Sequence, residues 1–437
     1  MRDGYVISVD DDIGELRADV LIDNGRIAAV APNLATADCD VVDASSFFIL
    51  PGFVDCHRHL WQTPLRHTGT DWDLPRMFVE LFVRFGPRMN ADDVYAATLF
   101  GRLVALDAGI TTLLDWAHIQ NTAAHSDEGI RALRAAGGRS IFGHGQPGDD
   151  PKPWMVNSAV PHPDDIRRVR EKVLTTDDAL VTMAMAARGP EFCTMAVVEK
   201  DIRLARELGL RVTMHVGMGE NGRKNRAIEN LHQHHLLGPD VTCLHCCTSS
   251  DHEFQLLADH GASAGVSASM AMFAGGFGLP ATGRLMAQGL RPSLSADSEM
   301  TASGDMFTEM RAAFGAERTV RNNAIPNGPE RAQITARDVL RFATIDGART
   351  VGLGDRIGSI TPGKRADIIL VRRDALNLAP AADPIGALVI GGHAGNVEAV
   401  FVDGKPVKWA GEMIAADVRA ARRIFDRSCA ALYERVQ

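Results

Sequence analysis

Eight apolar runs that alternate with helical segments are the feature that most constrains the fold of this chain. The segments between them open on residues such as Asn90, a good helix N-cap, and end at glycine. Near-continuous apolar strands separated by helices form parallel sheets, and eight such units close into a (β/α)8 barrel. An open doubly wound sheet is the alternative, but no G-x-G-x-x-G follows the first strand. The eight runs lie at 51–60, 109–116, 139–145, 179–187, 210–217, 241–246, 262–269 and 291–297.

Both ends of the chain depart from this alternation. Near the start, "ADVLIDNGRIAAV" joins two apolar runs through Asn-Gly, which predicts a hairpin. The tail likewise contains strands broken by Pro-Gly and Asp-Gly turns. We therefore predict an α/β chain in which a TIM-like barrel over 51–354 carries a small composite β-sandwich domain. That domain combines 1–50 with 355–415, and a C-terminal helix occupies 416–437.

Composition excludes several classes of function. A formal charge of −9 offers no basic patch for nucleic acid, and no apolar stretch approaches the ~20 residues that span a membrane. The start, "MRDGYVISVDDD", has no apolar signal-peptide core, so we expect a cytoplasmic enzyme. The seven cysteines are scattered and odd in number, which argues against a disulfide framework.

Metal-competent side chains stand at the ends of several predicted strands. In "PGFVDCHRHL", His57 and His59 are two residues apart, so a strand would point both imidazoles to one face. An H-x-H pair alone is weak evidence, but His215, His245 and Asp297 end three further strands. The carboxyl ends of barrel strands gather on one face. These five residues therefore predict a catalytic divalent-metal site with nitrogen and oxygen ligands.

At this point the chain resembles the amidohydrolase superfamily, in its cyclic-deaminase and triazine-hydrolase branch. The resemblance spans nearly the whole chain and implies a metal-dependent hydrolase with a composite β domain. It also implies a small-molecule substrate and is compatible with a homodimer or higher homo-oligomer. The matching segments are "PGFVDCHRH", "AGITTLLD", "HVG" at 215, "LHC" at 244, "SADS" at 295 and "GSITPGKRADIIL" at 358.

The resemblance also implies roles for individual residues. His57, His59, His215 and Asp297 would bind a single divalent ion, and His245 would polarise the substrate. Asp297 would in addition move a proton between the attacking water and the leaving nitrogen. Zinc fits these ligands, although iron, cobalt or manganese would accept the same set. No lysine ends the fourth strand, so a carboxylated lysine bridging two metals is not expected.

One position departs from the pattern of the branch. Its deaminases usually carry H-x-x-E on the fifth strand, where the glutamate protonates a ring nitrogen, but this chain has Met218 there. Glu220, two residues later, either replaces that glutamate or is solvated. The expected reaction is therefore hydrolysis of another non-peptide C–N bond, in an amide, urea, carbamate or N-substituted ring of an aromatic or heterocyclic molecule. Deamination of an aminated heterocycle is the first alternative, and an inactive scaffold is the second.

Several residues near the predicted site are candidates for substrate contact. A planar ligand could stack on, hydrogen-bond to or pair with groups that follow the first strand and the second strand. The segment 267–278 resembles a flexible, glycine-rich apolar loop able to cover the pocket. The candidates are Trp61, Gln62, Arg66, His118, Met218, Met272 and Phe273, with core packing or salt bridging as the competing interpretation for several of them.

Overall fold

The computed structural model describes residues 1–35, 39–323 and 333–437. Numbered along the chain, the described strands are β1 (Gly4–Ile7), β2 (Glu15–Asp23), β3 (Arg26–Ala31), β4 (Phe47–Pro51), β5 (Phe53–Arg58), β6 (Ile110–Ala117), β7 (Arg139–His144), β8 (Val181–Ala187), β9 (Val212–Val216), β10 (Val241–His245), β11 (Ser263–Val266), β12 (Ser293–Leu294), β13 (Ile368–Arg372), β14 (Val397–Val402), β15 (Lys405–Trp409) and β16 (Glu412–Met413).

Helices fill the connections between these strands and close the chain. The described α-helices are α1 (Leu74–Val79), α2 (Ala91–Asp107), α3 (Ala123–Ala136), α4 (Pro151–Met155), α5 (Asp165–Arg168), α6 (Met195–Glu207), α7 (Gly219–Asn225), α8 (Ala227–Gln233), α9 (Asp251–Asp259), α10 (Ala268–Phe273), α11 (Thr282–Ala287), α12 (Met306–Asn322), α13 (Ala336–Phe342), α14 (Ile345–Thr350), α15 (Pro384–Gly386) and α16 (Val418–Val436). Short 3-10 helices lie at Leu60–Leu65, Gly86–Arg88 and Ala394–Asn396, and π-helical turns at Glu80–Phe85, Val169–Val173 and Ala387–Gly391. None of the described helices combines the length and apolar character needed to cross a membrane.

Strands β5 to β12 form the predicted barrel. They neighbour one another in chain order, all parallel, which confirms the (β/α)8 prediction. The first and last strands meet through the backbone at their carboxyl ends. There the Asp297 N–H donates to the His57 carbonyl (3.0 Å), and the His59 N–H donates to the Asp297 carbonyl (2.9 Å). Closing the barrel therefore brings these three residues together.

The remaining strands form one mixed sheet from both termini. Its order is β16-β15-β14-β13-β4-β1-β2-β3, so the C-terminal strands join the N-terminal ones where β13 pairs antiparallel with β4. This confirms the composite β domain. The predicted Asn-Gly hairpin joins β2 and β3, with Asn24 and Gly25 at φ +49° and +77°, as a tight hairpin turn requires. The exact domain boundaries stay a prediction.

The central strands of the composite sheet are buried on both faces because their consecutive residues are apolar. Phe48 and Leu50 of β4 belong to the large core shared with the barrel. Ile49 between them belongs to a second core with Ile368 and Leu370 of β13. Successive side chains of a strand point to opposite faces, so one face fastens the sheet to the barrel and the other forms a core of its own.

A buried ion pair ties this sheet to the barrel and predicts a stability effect. Arg139, at the start of β7, donates from Nε and Nη2 to the Asp367 carboxylate at 2.8 and 3.0 Å, and both side chains are at most 4% exposed. Arg139→Ala would leave this carboxylate buried without its main cation. We expect the free energy of unfolding to fall by about 3–5 kcal/mol, measured by urea and thermal denaturation.

The exposed pair between Arg17 and Asp3 provides the matched control. Its side chains are half exposed, at 50% and 54%, so Arg17→Ala should lower the free energy of unfolding far less than Arg139→Ala does. Equal losses of stability in the two variants would contradict the assignment of Arg139 as a buried anchor.

Candidate metal centre and active site

Five metal-competent side chains converge at the carboxyl end of the barrel. The Asp297 carboxylate lies 3.5 Å from His57 Nε2, 3.4 Å from His59 Nε2 and 3.7 Å from His245 Nε2. The ring of His215, on β9, lies 4.8 Å from that of His57 between centroids. The five predicted residues are therefore brought together by four different strands or strand ends.

The backbone at two of these residues is held in an unfavourable conformation. His245, the last residue of β10, has φ +69°, and Asp297 has φ +57°. Side chains other than glycine rarely adopt this left-handed region, and each such residue costs of order 1–3 kcal/mol. The barrel-closing hydrogen bonds of Asp297 help to keep it there. Strain of this kind concentrates at functional sites, where it fixes the direction of a side chain.

The donor set fits a divalent metal ion. His57 is fully buried, and neither of its ring nitrogens has a hydrogen-bond partner in the described part of the chain. Such a histidine is costly without a ligand. His59 Nδ1–H donates to the Trp116 carbonyl (2.8 Å), which leaves Nε2 free to coordinate. Metal-bound histidines commonly donate their other ring N–H to a carbonyl in this way. Ligand atoms of two overlapping groups lie within 4.8 Å of one another: His57, His59 and Asp297, and His57, His215 and His245. This is a histidine-rich metal site.

Electrostatics keep these ligands in the form that coordinates metal. Burial lowers the pKa of His59 and of His215 well below the ordinary value and that of His245 to about 4, so the rings are neutral. Burial alone would raise the pKa of Asp297, but the surrounding histidines, His57 first among them, hold it below its ordinary range. Neutral imidazoles and an ionised carboxylate are the states that bind divalent ions.

A cavity opens above this centre, with about 570 Å³ of empty space that is partly open to solvent. Its base is formed by the metal-site residues, and its walls are largely apolar. Such a shape and polarity are typical of small-molecule sites. The lining comprises His59, Gln62, Leu74, Met77, Phe78, Leu81, Phe82, Trp116, His118, Gln146, Met155, Arg188, Phe192, His215, Met218, His245, Met270, Phe277, Asp297 and Ser298.

Three of the residues proposed from the sequence for substrate contact line the cavity, and a fourth supports one of them. Gln62, His118 and Met218 belong to the lining. Trp61 is buried behind it and donates from its indole Nε1–H to His118 Nδ1 at 3.1 Å. Trp61 is thus placed to orient a cavity residue from outside the lining.

Four other candidates lie away from the cavity. Arg66 pairs with Glu299 at 3.3 Å, and Glu220 is 66% exposed beside Arg223 and Lys224 on α7. Met272 and Phe273 are 47% and 51% exposed. They belong to α10 rather than to a loop. A step of two residues on a helix turns a side chain by about 200°, so Met272 points away from the side on which Met270 faces the cavity. Phe273 is the last residue of the helix, and its side chain is exposed as well.

Sequence reasoning missed most of the apolar wall. The wall comes chiefly from α1 and the π-helical turn that follows it, which carry Phe78 and Phe82. It also missed Gln146, although a signal existed, because this residue lies two positions after the end of β7. Polar residues just beyond barrel strands are natural site candidates.

Comparison with known proteins agrees with this architecture. Residues 48–407 match the model of the Amidohydrolase family. The chain is 27% identical to a 5'-deoxyadenosine deaminase of Methanothermobacter thermautotrophicus, over 96% of each chain. It is 28% identical to a 5-methylthioadenosine/S-adenosylhomocysteine deaminase of Symbiobacterium thermophilum, over 89% of this chain and 88% of the relative.

Solved structures share the fold across almost the whole chain. An adenosine deaminase from Xanthomonas campestris with bound zinc superposes with a TM-score of 0.82 at 24% identity, covering 97% of both chains. An atrazine chlorohydrolase from Arthrobacter aurescens TC1 complexed with zinc superposes with a TM-score of 0.85 at 21% identity, covering 99% of both. With the family match over most of its length and a histidine-rich metal site at the expected place, the chain belongs to the amidohydrolase family, as a metal-dependent hydrolase of carbon–nitrogen bonds other than peptide bonds.

Proposed function

We propose that this protein deaminates an aminated heterocycle and releases ammonia. The observation that carries the proposal is the convergence of three histidines and one aspartate beneath an apolar cavity, in a chain whose full-length relatives are named as deaminases of adenine-type compounds. This replaces amide, urea or carbamate hydrolysis, which the sequence favoured. The metal site and the hydrolase family speak against the inactive-scaffold alternative.

His57, His59, His215 and Asp297 would hold one divalent ion. Zinc is the ion we propose, because it suits imidazole and carboxylate donors and is bound in two solved structures of this fold. When bound, such an ion lowers the pKa of a coordinated water and stabilises negative charge that develops on the substrate.

Side chains of the protein would carry out the proton transfers. Water adds to the ring carbon that carries the amino group, the carbon–nitrogen bond breaks, and a ring carbonyl replaces the amine. Asp297 accepts one proton of the attacking water and passes it to the leaving nitrogen, which departs as ammonia. The other water proton balances the proton that the ring nitrogen gains, so that the product is the ring carbonyl with a protonated ring nitrogen. His245, within 3.7 Å of Asp297, stabilises the tetrahedral centre by hydrogen bonding. Asp297 and His245 both line the cavity near the metal site, within reach of the substrate atoms that gain and lose protons.

Related deaminases carry an acid at the position of Met218, and that acid protonates a ring nitrogen of the substrate. We propose that His118 takes this role here. The indole Nε1–H of Trp61 can only donate, so it requires an unprotonated Nδ1 on His118. The same Nδ1 also lies 3.2 Å from the Trp116 carbonyl, which would accept from a protonated Nδ1. We infer that the Trp61 donor, at 3.1 Å, sets the tautomer, because this carbonyl already accepts the shorter bond from His59 (2.8 Å). A neutral His118 would then carry its proton on Nε2. We propose that this N–H donates to a ring nitrogen of the substrate, a role that Glu220 cannot fill from the surface.

Trp61→Phe tests this arrangement by removing the N–H that fixes the tautomer. We expect kcat to fall about tenfold with little change in KM, because ring protonation contributes mainly in the transition state. Steady-state kinetics on the best substrate measure both constants. Trp409→Phe, on a strand far along the composite sheet, is the control and should leave both unchanged. A Trp61→Phe enzyme with unaltered kcat would contradict the role of Trp61.

Hydrolysis of an N-substituted amide or urea is the second candidate, favoured by Met218 itself, because attack on a carbonyl needs no ring protonation. A panel of amino-heterocycles, aryl amides and aryl ureas separates the two reactions. Each reaction is followed by ammonia detection and by chromatography of released amines. Ammonia from amino-heterocycles is the expected result. Release of substituted amines from amides or ureas alone would overturn deamination in favour of the second candidate.

A further inference from the structure

We propose that the substrate is a neutral, planar heterocycle whose substituent is apolar, and that Gln62 and Gln146 recognise its polar edge. This inference names the substrate class of the same site and rests on the proposed deamination. It goes further because an amino-heterocycle could carry a sugar, a phosphate or an amino-acid side chain, and the cavity walls discriminate among these.

The wall above the metal centre is built to contact hydrocarbon. Residues 74–85 present Leu74, Phe78 and Phe82 to the cavity from α1 and the π-helical turn. More than half of the lining side chains are aliphatic, aromatic or thioether groups. Burying an apolar substituent there gains about 25 cal/mol per Å² removed from water. A butyl-sized substituent should therefore increase the binding affinity. A hydroxylated substituent of the same size should not, because its hydroxyl groups lose their hydrogen bonds to water and gain none from this wall.

The charged groups of the lining already have partners of their own, although Arg188 Nε is not hydrogen-bonded in the described part of the chain. Among the described residues that line the cavity, Arg188 is the one arginine or lysine and Asp297 the one carboxylate. The buried Arg188 guanidinium donates to the Asp201 carboxylate (3.2 Å), to Ser158 Oγ (3.0 Å) and to the Val160 carbonyl (2.7 Å). Asp297 belongs to the metal site. Along the apolar wall, away from the metal site, a phosphate, carboxylate or ammonium of a ligand would therefore be desolvated without a counter-charge, which is strongly unfavourable.

Two glutamines offer unpaired acceptors to the polar edge of a ligand. Gln62 follows β5 and Gln146 follows β7, and both line the cavity. The amide oxygen of each is buried without a hydrogen-bond partner in the part of the chain that the structure describes. Leaving a buried amide oxygen without a hydrogen bond is unfavourable. N–H groups at the edge of a heterocycle are the complementary donors, so a bound ligand of this class offsets that cost.

The test compares pairs of substrates that differ in one terminal group. Adenine, cytosine and an amino-triazine each carry either a butyl or a carboxypropyl chain at the same position, and ammonia release gives kcat/KM. For the ring that is turned over, we expect the butyl compound to exceed the carboxypropyl compound by about 100-fold or more, since stranding one charge costs several kcal/mol. Equal values, or a preference for the carboxylate, would overturn the inference while leaving deamination intact.

Calorimetric binding of the same pairs separates this inference from the proposed function. If no compound releases ammonia, the proposed deamination is wrong. The order of the dissociation constants of the butyl and carboxypropyl compounds then still tests the proposed substrate class. Tighter binding of the butyl compounds supports it, and tighter binding of the carboxypropyl compounds overturns it.

Variants of the two glutamines test the polar recognition. Gln62→Leu and Gln146→Leu should each weaken binding of the butyl compound about tenfold or more, because an N–H of the ligand loses its acceptor. Gln255→Leu, at an exposed site on α9, is the matched control and should bind normally. Thermal unfolding curves of all three variants are recorded to check that each is folded. Folded glutamine variants with unchanged affinity would overturn the assignment of these residues.

Discussion

His215→Ala is expected to remove most of the bound metal and to lower kcat/KM by at least about a thousandfold. His215 lies on β9 with its ring 4.8 Å from that of His57 and 5.5 Å from that of His59, so an ion shared by these rings loses one of four ligands. Metal ions contribute several kcal/mol of transition-state stabilisation, and each 1.4 kcal/mol is a factor of about ten in rate. Elemental analysis and ammonia release on the same preparation measure both effects.

His234→Ala provides the control for this variant. His234 is an exposed histidine at the end of α8, so its loss should change neither metal content nor rate. Full metal occupancy in a folded His215→Ala protein would contradict the ligand assignment, whereas loss of metal in both variants would indicate non-specific binding to surface histidines.

His245→Asn is expected to keep the metal but lose about 100- to 1,000-fold in kcat, with a smaller change in KM. This follows because removing one preorganised hydrogen-bonding group from the developing charge costs about that much. His245 lies close enough to His57 and His215 to coordinate the same ion, so metal content is the decisive readout. If the folded variant loses its metal as His215→Ala does, His245 is a ligand rather than the group that stabilises the tetrahedral centre.

The barrel and the convergence of its metal-site residues could be predicted because both follow from short-range rules. Strands with apolar residues on both faces indicate a parallel barrel, and the end of a barrel strand fixes where its last side chain lies. His57 and His59 are separated by the strand repeat of two, and Asp297 follows the shortest strand of the barrel. No long-range information was needed to bring them to one place.

The cavity wall could not be predicted in the same way. The sequence around Phe78 and Phe82 shows an apolar helix but not which neighbour its apolar side contacts. Segment 267–278 has the composition of a loop, yet residues 268–273 form α10 and turn Met272 and Phe273 outward. For such residues, orientation depends on packing against distant elements rather than on local pattern.

The tautomer of His118 shows a further limit of the sequence. The tautomer that we propose depends on a hydrogen bond from Trp61, which is 57 residues away along the chain. Glu220 shows the converse, because its position near the fifth strand suggested a role in catalysis. Helix α7 begins at Gly219 and places Glu220 on its solvent side beside two cations. Proximity in sequence was therefore misleading where a helix starts between the strand and the residue.

The measurement that tests the central claim most directly is ammonia release by the purified protein before chelation, after chelation and after zinc is restored, with metal content determined at each stage. We expect about one equivalent of metal per chain, loss of ammonia release when the metal is removed, and recovery when it returns. Undiminished ammonia release by the metal-free protein would contradict a metal-dependent deaminase built on His57, His59, His215 and Asp297.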